Sequence, residues 1–115
     1  MKYHNEKVTI RGQRFDSRKE ARRYEELMLL ARAGQISGLQ RQVKYVLIPA
    51  QYEGEGRKRR CLERECAYLA DFVYTENGQT VVEAVKGYKG GGAYAVFKIK
   101  EKLMLYVHKI KIREV

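Results

Sequence analysis

Two largely apolar runs flank the dipeptide Asn77-Gly78, and this arrangement constrains the fold more than any other feature of the chain. Asn-Gly favours the left-handed backbone of a two-residue turn, whose twist matches that of two paired strands. Leu62 to Tyr74 before it and Thr80 to Lys86 after it are therefore read as neighbouring antiparallel strands. The first carries Asp71 inside Leu69-Ala70-Asp71-Phe72-Val73. A carboxylate left unpaired in such surroundings costs several kcal/mol, so Asp71 should have a partner, a cation or a lysine. The plainer alternative is an aspartate that closes a turn at the end of a strand.

The second strand ends on Lys86. Strand alternation puts Val82, Ala84 and Lys86 on one face, and Val81, Glu83 and Val85 on the other. It likewise groups Ala67, Leu69, Asp71 and Val73. Lys86 can then share an edge with Asp71, where it would orient a water and offset negative charge on a phosphate. A lysine reaching from the strand end into solvent is the simpler reading. Glu83 points away from Lys86 unless a bulge turns it.

Upstream, Val8 to Phe15 reads as a short hairpin turning at Arg11-Gly12, and Asp16-Ser17 opens a helix. Ser17 and Glu20 have the spacing of a capping box, in which each side chain satisfies a free backbone N–H. The helix runs to Ala33 and stops at Gly34. Ala21, Tyr24, Leu27, Met28 and Ala31 form its apolar stripe. Glu20 borders that stripe, so it can also reach a cation held by Asp71; the cap is the simpler of its two roles. Leu39 to Ile48 alternates as a strand that Pro49 ends. Ala50 to Arg60 is a polar connection, and Gly87 to Gly92 a flexible loop without the spacing of a phosphate-binding loop. Tyr94 to Val107 reads as a second helix with Val96, Ile99, Leu103 and Tyr106 toward the core, and Lys109 to Val115 as a last strand. The expected architecture is one α/β domain over residues 1–115, a mixed sheet flanked by helices.

Charge narrows the class of partner. Lys and Arg number 24 against 14 acids, a net charge of +10. Such an excess draws polyanions through phosphate contacts and counterion release. Arg57, Lys58, Arg59 and Arg60, Lys89 in the glycine loop, and Lys98 with Lys102 one helical turn on are candidate phosphate contacts, as are Lys109, Lys111 and Arg113. Tyr88 and Tyr94 are available for stacking on bases. Any one of these groups alone is read as a solvated face. No apolar run approaches the roughly 20 residues that span a bilayer, and Met1 to Asn5 lacks a leader's apolar segment. No membrane partner is expected. Cys61 and Cys66 fit neither a zinc set nor a disulfide framework, which suggests reduced thiols in a cytoplasmic protein. His4 and His108 are too few and too far apart in sequence for a histidine-based centre.

Taken in order, Phe15-Asp16-Ser17-Arg18-Lys19-Glu20-Ala21-Arg22-Arg23-Tyr24, Ala70-Asp71-Phe72-Val73-Tyr74 and Val81-Val82-Glu83-Ala84-Val85-Lys86-Gly87 resemble the PD-(D/E)XK nuclease superfamily. Within it the chain is most similar to small phage-encoded members, and small resolvases of branched DNA share the layout. The resemblance covers almost the whole chain. It implies a restriction-endonuclease-like αβββαβ core and an endonuclease that hydrolyses DNA phosphodiesters with Mg2+ or Mn2+. It implies Asp71 as the central metal ligand, Glu20 as a supporting acid, Lys86 as the catalytic lysine and Gln42, on the first strand, as a supporting candidate. A junction-resolving member would also need a homodimer. The chain departs from the motif at one place: the acid expected two residues before the lysine is Ala84. Three explanations stand open. Ala84 is an engineered inactivation, or a natural loss of metal affinity, or its role has passed to Glu83 as metal ligand through a local strand shift.

Two other classes compete. One is a non-catalytic nucleic-acid-binding module, whose binding would be salt-sensitive and indifferent to metal. The other is a structural or regulatory phage protein with a protein target, which would not bind DNA near physiological salt.

Overall fold

The computed structural model describes residues 7–115, so the readings placed on Met1 to Asn5 and on His4 lie outside the described residues. The chain begins with a hairpin of β1 (Val8–Ile10) and β2 (Gln13–Phe15). Its turn places Arg11 and Gly12 at φ 52° and 79°, the left-handed pair that a tight hairpin needs. α1 (Arg18–Arg32) follows, with Ser17 Oγ accepting from the Glu20 backbone N–H at 3.1 Å. Ala21, Tyr24 and Leu27 bury its inner face, as their spacing predicts.

β3 (Ser37–Ile48), β6 (Cys66–Glu76), β7 (Gln79–Ala84) and β8 (Arg113–Glu114) form one sheet in the order β3-β6-β7-β8. The first three pair antiparallel and β8 joins β7 in parallel. A parallel neighbour requires a crossover, and α2 (Gly91–His108) supplies it. The central order is thus αβββαβ around a mixed sheet. The hairpin at Asn77-Gly78 is present, with φ 51° and 77°.

Several readings need correction. The connection after Pro49 holds a second hairpin of β4 (Gln51–Glu53) and β5 (Arg60–Glu63), closed by a single 3-10 turn at Gly56–Lys58. The long strand expected from Leu62 is therefore two strands, broken at Arg64-Glu65. The expected last strand shrinks to Arg113–Glu114. The inner face of α2 is Phe97, Glu101 and Met104, while Val96, Ile99 and Tyr106 are exposed. Apolar residues surround most of α2, so their period does not single out a face. The buried face also carries an acid, which Lys98 at 2.6 Å and Lys111 at 3.6 Å hold in place.

The core lies in two clusters, one on each side of the sheet. Phe15, Tyr24, Leu27, Phe72, Tyr74 and Val81 pack with α1. Tyr68, Ala70, Val82, Ala84, Phe97 and Met104 pack with α2. Tyr68, Ala70, Phe72 and Tyr74 have the same parity on β6, yet the first two face α2 and the last two face α1. The alternation reverses between Ala70 and Phe72, at Asp71. On β3 the ladder pairs Arg41 with Phe72 and Val43 with Ala70, which brings Gln42 abreast of Asp71. Gln42 itself has φ 53°, a left-handed backbone inside a strand. Two neighbouring strands thus change face at one level, and the candidate residues sit at that level.

Candidate active-site cleft

A cleft of about 640 Å3 opens where the N-terminal turns of α1 and α2 approach the end of β7. Asp16, Ser17, Lys19 and Glu20 line one wall, Asp71 and Lys86 the floor, and Tyr88, Gly90 and Ala93 the other wall. Three residues from distant parts of the sequence, Glu20, Asp71 and Lys86, therefore meet in one cavity.

Glu20 is buried, and its side chain does not complete the capping box. Its Oε1 accepts from Arg41 Nη2 at 3.3 Å and from Gln42 Nε2 at 3.2 Å. The cap is carried by Ser17 alone, and Gln42 is a supporting residue through Glu20. Burial pushes the Glu20 carboxyl above its ordinary range, and the nearby Asp71 charge pushes it further, against the pull of Arg41. Asp71 Oδ2 accepts from the Val85 backbone N–H at 2.8 Å. Burial raises the Asp71 carboxyl too, opposed by that N–H and by the charge of Lys86. Both acids thus resist ionising as they stand, a condition that an added cation relieves.

The Lys86 ammonium lies 4.2 Å from the centre of the Phe97 ring. Its backbone is anchored on both sides: Lys86 N donates to Val115 O at 3.2 Å, and Lys86 O accepts from Lys19 Nζ. Tyr88 packs over Gly90, where a Cβ would fall 2.7 Å from the Tyr88 hydroxyl, so a side chain there would displace the exposed Tyr88 ring from the start of α2. No side chain caps that helix start.

Glu83 is not in the cleft. It is fully buried on the α1 side, where Arg23 grips it through Nε at 2.8 Å and Nη2 at 2.6 Å. Tyr74 also donates its hydroxyl to Glu83, and the Tyr74 pKa rises to about 12 from burial and from that carboxylate. The alternation of β7 therefore holds, and no strand shift delivers Glu83 to the site. Ala84 is buried on the opposite face. One step beyond the last ladder pair, Phe72 with Glu83, Ala84 falls at the level of Asp71, but it packs in the α2-side core and does not line the cleft. The open question at position 84 loses one of its three answers.

Two carboxylates raised in pKa by burial, one of them also by the charge of the other, are the chemistry of a hard divalent ion. The residues present fit such an ion in kind and fall short in number: among the described residues no group of three or more His, Cys, Asp or Glu side chains is arranged for a metal.

Of the basic candidates, Arg57 and Lys58 are exposed at the β4–β5 hairpin. Arg59 stacks on Tyr52 at 4.1 Å and Arg60 Nε donates to Glu53 at 2.7 Å. Lys98 is bound to Glu101 and lies 3.8 Å from Glu114, Lys89 is 4.0 Å from Glu114, and Lys102 is exposed. Arg113 is drawn to Glu76 at 3.6 Å and to Tyr74 at 3.2 Å. Arg41 was missed. It stacks on Phe15 at 3.9 Å and donates to Gln13, to the Arg14 carbonyl and to Glu20. Its signal was an arginine at an inward position of an alternating strand, which requires a buried acceptor.

Cys61 and Cys66 are free thiols. Among the described residues no helix is long and apolar enough to cross a membrane.

No curated protein and no solved structure matches the chain. One family profile does, over residues 1–114, and its description states no activity. The chain belongs to that family, the proteins of unknown function DUF1064.

Proposed function

We propose that this chain is a nuclease-fold protein whose Asp71 cleft is built for metal-dependent phosphodiester hydrolysis of DNA, and that Ala84 impairs this particular site. The observation that carries the reading is the convergence of Glu20, Asp71 and Lys86 in one cleft, with both acids raised in pKa. Glu20 and Asp71 would hold Mg2+ or Mn2+, which in turn would supply charge for the phosphate and a more acidic bound water. Arg41 and Gln42 fix Glu20, and the Val85 N–H fixes Asp71, so both carboxylates are set before any ligand arrives. Lys86 offers a cation beside the phosphate, and the uncapped N–H groups at the start of α2 offer donors to its oxygens. Ala84 leaves the acid set one short, which weakens the hold on the ion. A cytoplasmic setting suits the two free thiols.

The test is cleavage of labelled linear, flap and four-way DNA with Mg2+ or Mn2+, by this chain and by its Ala84→Asp variant. The reading expects the variant to cut and the parent to cut far more slowly. Failure of both would reject it. The second reading, a non-catalytic DNA-binding module, would then be supported by metal-independent binding that Asp71→Ala leaves unchanged.

A further inference from the structure

A second cleft, about 720 Å3, lies between the β1–β2 hairpin and α1, lined by Lys7, Arg18 and Arg22 above an apolar floor of Val8, Ile10 and Ala21. No acid among the described residues lines it. The surrounding sequence is strongly basic. From Lys7 to Arg23, a stretch of 17 residues, seven basic residues stand against two acids, so half of the net charge of +10 lies there. One of those acids, Glu20, is turned inward to Arg41 and Gln42, so it does not neutralise the cleft.

α1 is the wall that the two clefts share. Lys19 and Glu20 face the Asp71 cleft, while Arg18 and Arg22, one helical turn apart, face the other. Lys19, Arg22 and Arg23 also line a third depression with the acid Glu26 and with Val85 and Val115. Basic groups therefore stand on both sides of the first two turns of α1. A helix is about 10–12 Å across. At a rise of about 3.4 Å per nucleotide, the two clefts lie roughly three nucleotides apart. Arg14 is exposed on the hairpin and Arg11 at its tip, which extends the charged surface.

We propose that this cleft is a second phosphate subsite, which holds the backbone of duplex DNA about three nucleotides from the Asp71 cleft. The proposal rests on DNA being the substrate of that cleft and adds which side of it the strand follows. It also moves the main charged contact away from the Arg57 to Arg60 hairpin to the two ends of the α1 wall.

The experiment is an anisotropy titration of the full chain against a fluorescein-labelled duplex of about 24 base pairs, in EDTA, between about 50 and 200 mM salt. Each lost phosphate contact lowers the log–log salt slope by about 0.9, so the Lys7→Gln, Arg18→Gln, Arg22→Gln triple variant should lose between about 2 and 3. Arg22→Gln alone should lose about 1, which keeps the test valid if the triple variant folds poorly. The matched control is Arg57→Gln, Lys58→Gln, Arg59→Gln, expected to lose less than the triple variant. An unchanged slope in the cleft variants, an equal loss in the control, or no DNA binding by the parent overturns the subsite. EDTA removes catalysis from the readout, so loss of cleavage with a changed slope rejects only the hydrolytic reading. An unchanged slope with cleavage intact rejects only the subsite.

Discussion

Arg23 on α1 and Glu83 on β7 form a two-point ion pair across the sheet–helix interface, with contacts of 2.8 and 2.6 Å and the carboxylate fully buried. This pair removes Glu83 from the set of metal ligands and makes it a structural residue. Glu83→Ala leaves a partly buried guanidinium and the Tyr74 hydroxyl without their acceptor, so it should cost about 3–5 kcal/mol in urea unfolding. The same change should leave metal affinity unaltered in an Ala84→Asp background. A cost below about 1 kcal/mol would mean that the pair is solvated rather than buried.

Asp71 gives a pH signature. Its folded-state pKa lies above the ordinary 3.8, so the folded protein holds its proton more tightly than the unfolded chain does. Stability should therefore fall as pH rises through the window above 3.8, and the penalty should be absent below it. Asp71→Asn retains an oxygen for the Val85 N–H and removes the charge. The variant should melt a few degrees higher near neutral pH, with the difference closing in acid. A lower melting temperature at neutral pH would show that the carboxylate is stabilised as an anion.

Ser17 and Glu20 separate two roles that the capping-box spacing merges. Ser17→Ala should cost about 1 kcal/mol as a lost cap. Glu20→Gln should leave the α1 cap intact, because its carboxylate contacts Arg41 and Gln42 instead. Hydrogen exchange of the first turn of α1 distinguishes the two: it should quicken only in Ser17→Ala.

The α/β class, the order αβββαβ and both tight turns were legible because Asn-Gly, Arg-Gly, Ser17 and Gly34 act locally. The inner face of α1 was legible from its period, and that of α2 was not, because α2 is apolar on most sides and buries Glu101 through Lys98 and Lys111. Strand alternation placed Ala84 and Glu83 as found on β7, which runs regularly. It failed on β6, where the facing reverses at Asp71 beside the left-handed Gln42. No single-strand pattern contains that reversal, since it belongs to two paired strands. Arg41 escaped for a related reason: its partners Gln13 and Glu20 come from other elements.

Position 84 offers a stability readout. Ala84 is fully buried in the α2-side core, so Ala84→Asp introduces a buried carboxylate at the level of Asp71 and should lower stability in EDTA by about 2 kcal/mol or more. Mg2+ or Mn2+ at about 100 times its Kd should restore about 2.7 kcal/mol. The parent chain should gain much less from the same ion. Equal gains in both chains would place the ion elsewhere.

Cleavage by the Ala84→Asp variant, with and without Asp71→Asn, tests the central claim most directly. A labelled duplex incubated with Mg2+ or Mn2+ should be cut by Ala84→Asp, cut far more slowly by the parent chain, and left intact by the Ala84→Asp, Asp71→Asn double variant. An Ala84→Asp protein that folds, binds DNA and leaves linear, flap and four-way substrates uncut would contradict the assignment of the Asp71 cleft as a phosphodiesterase site.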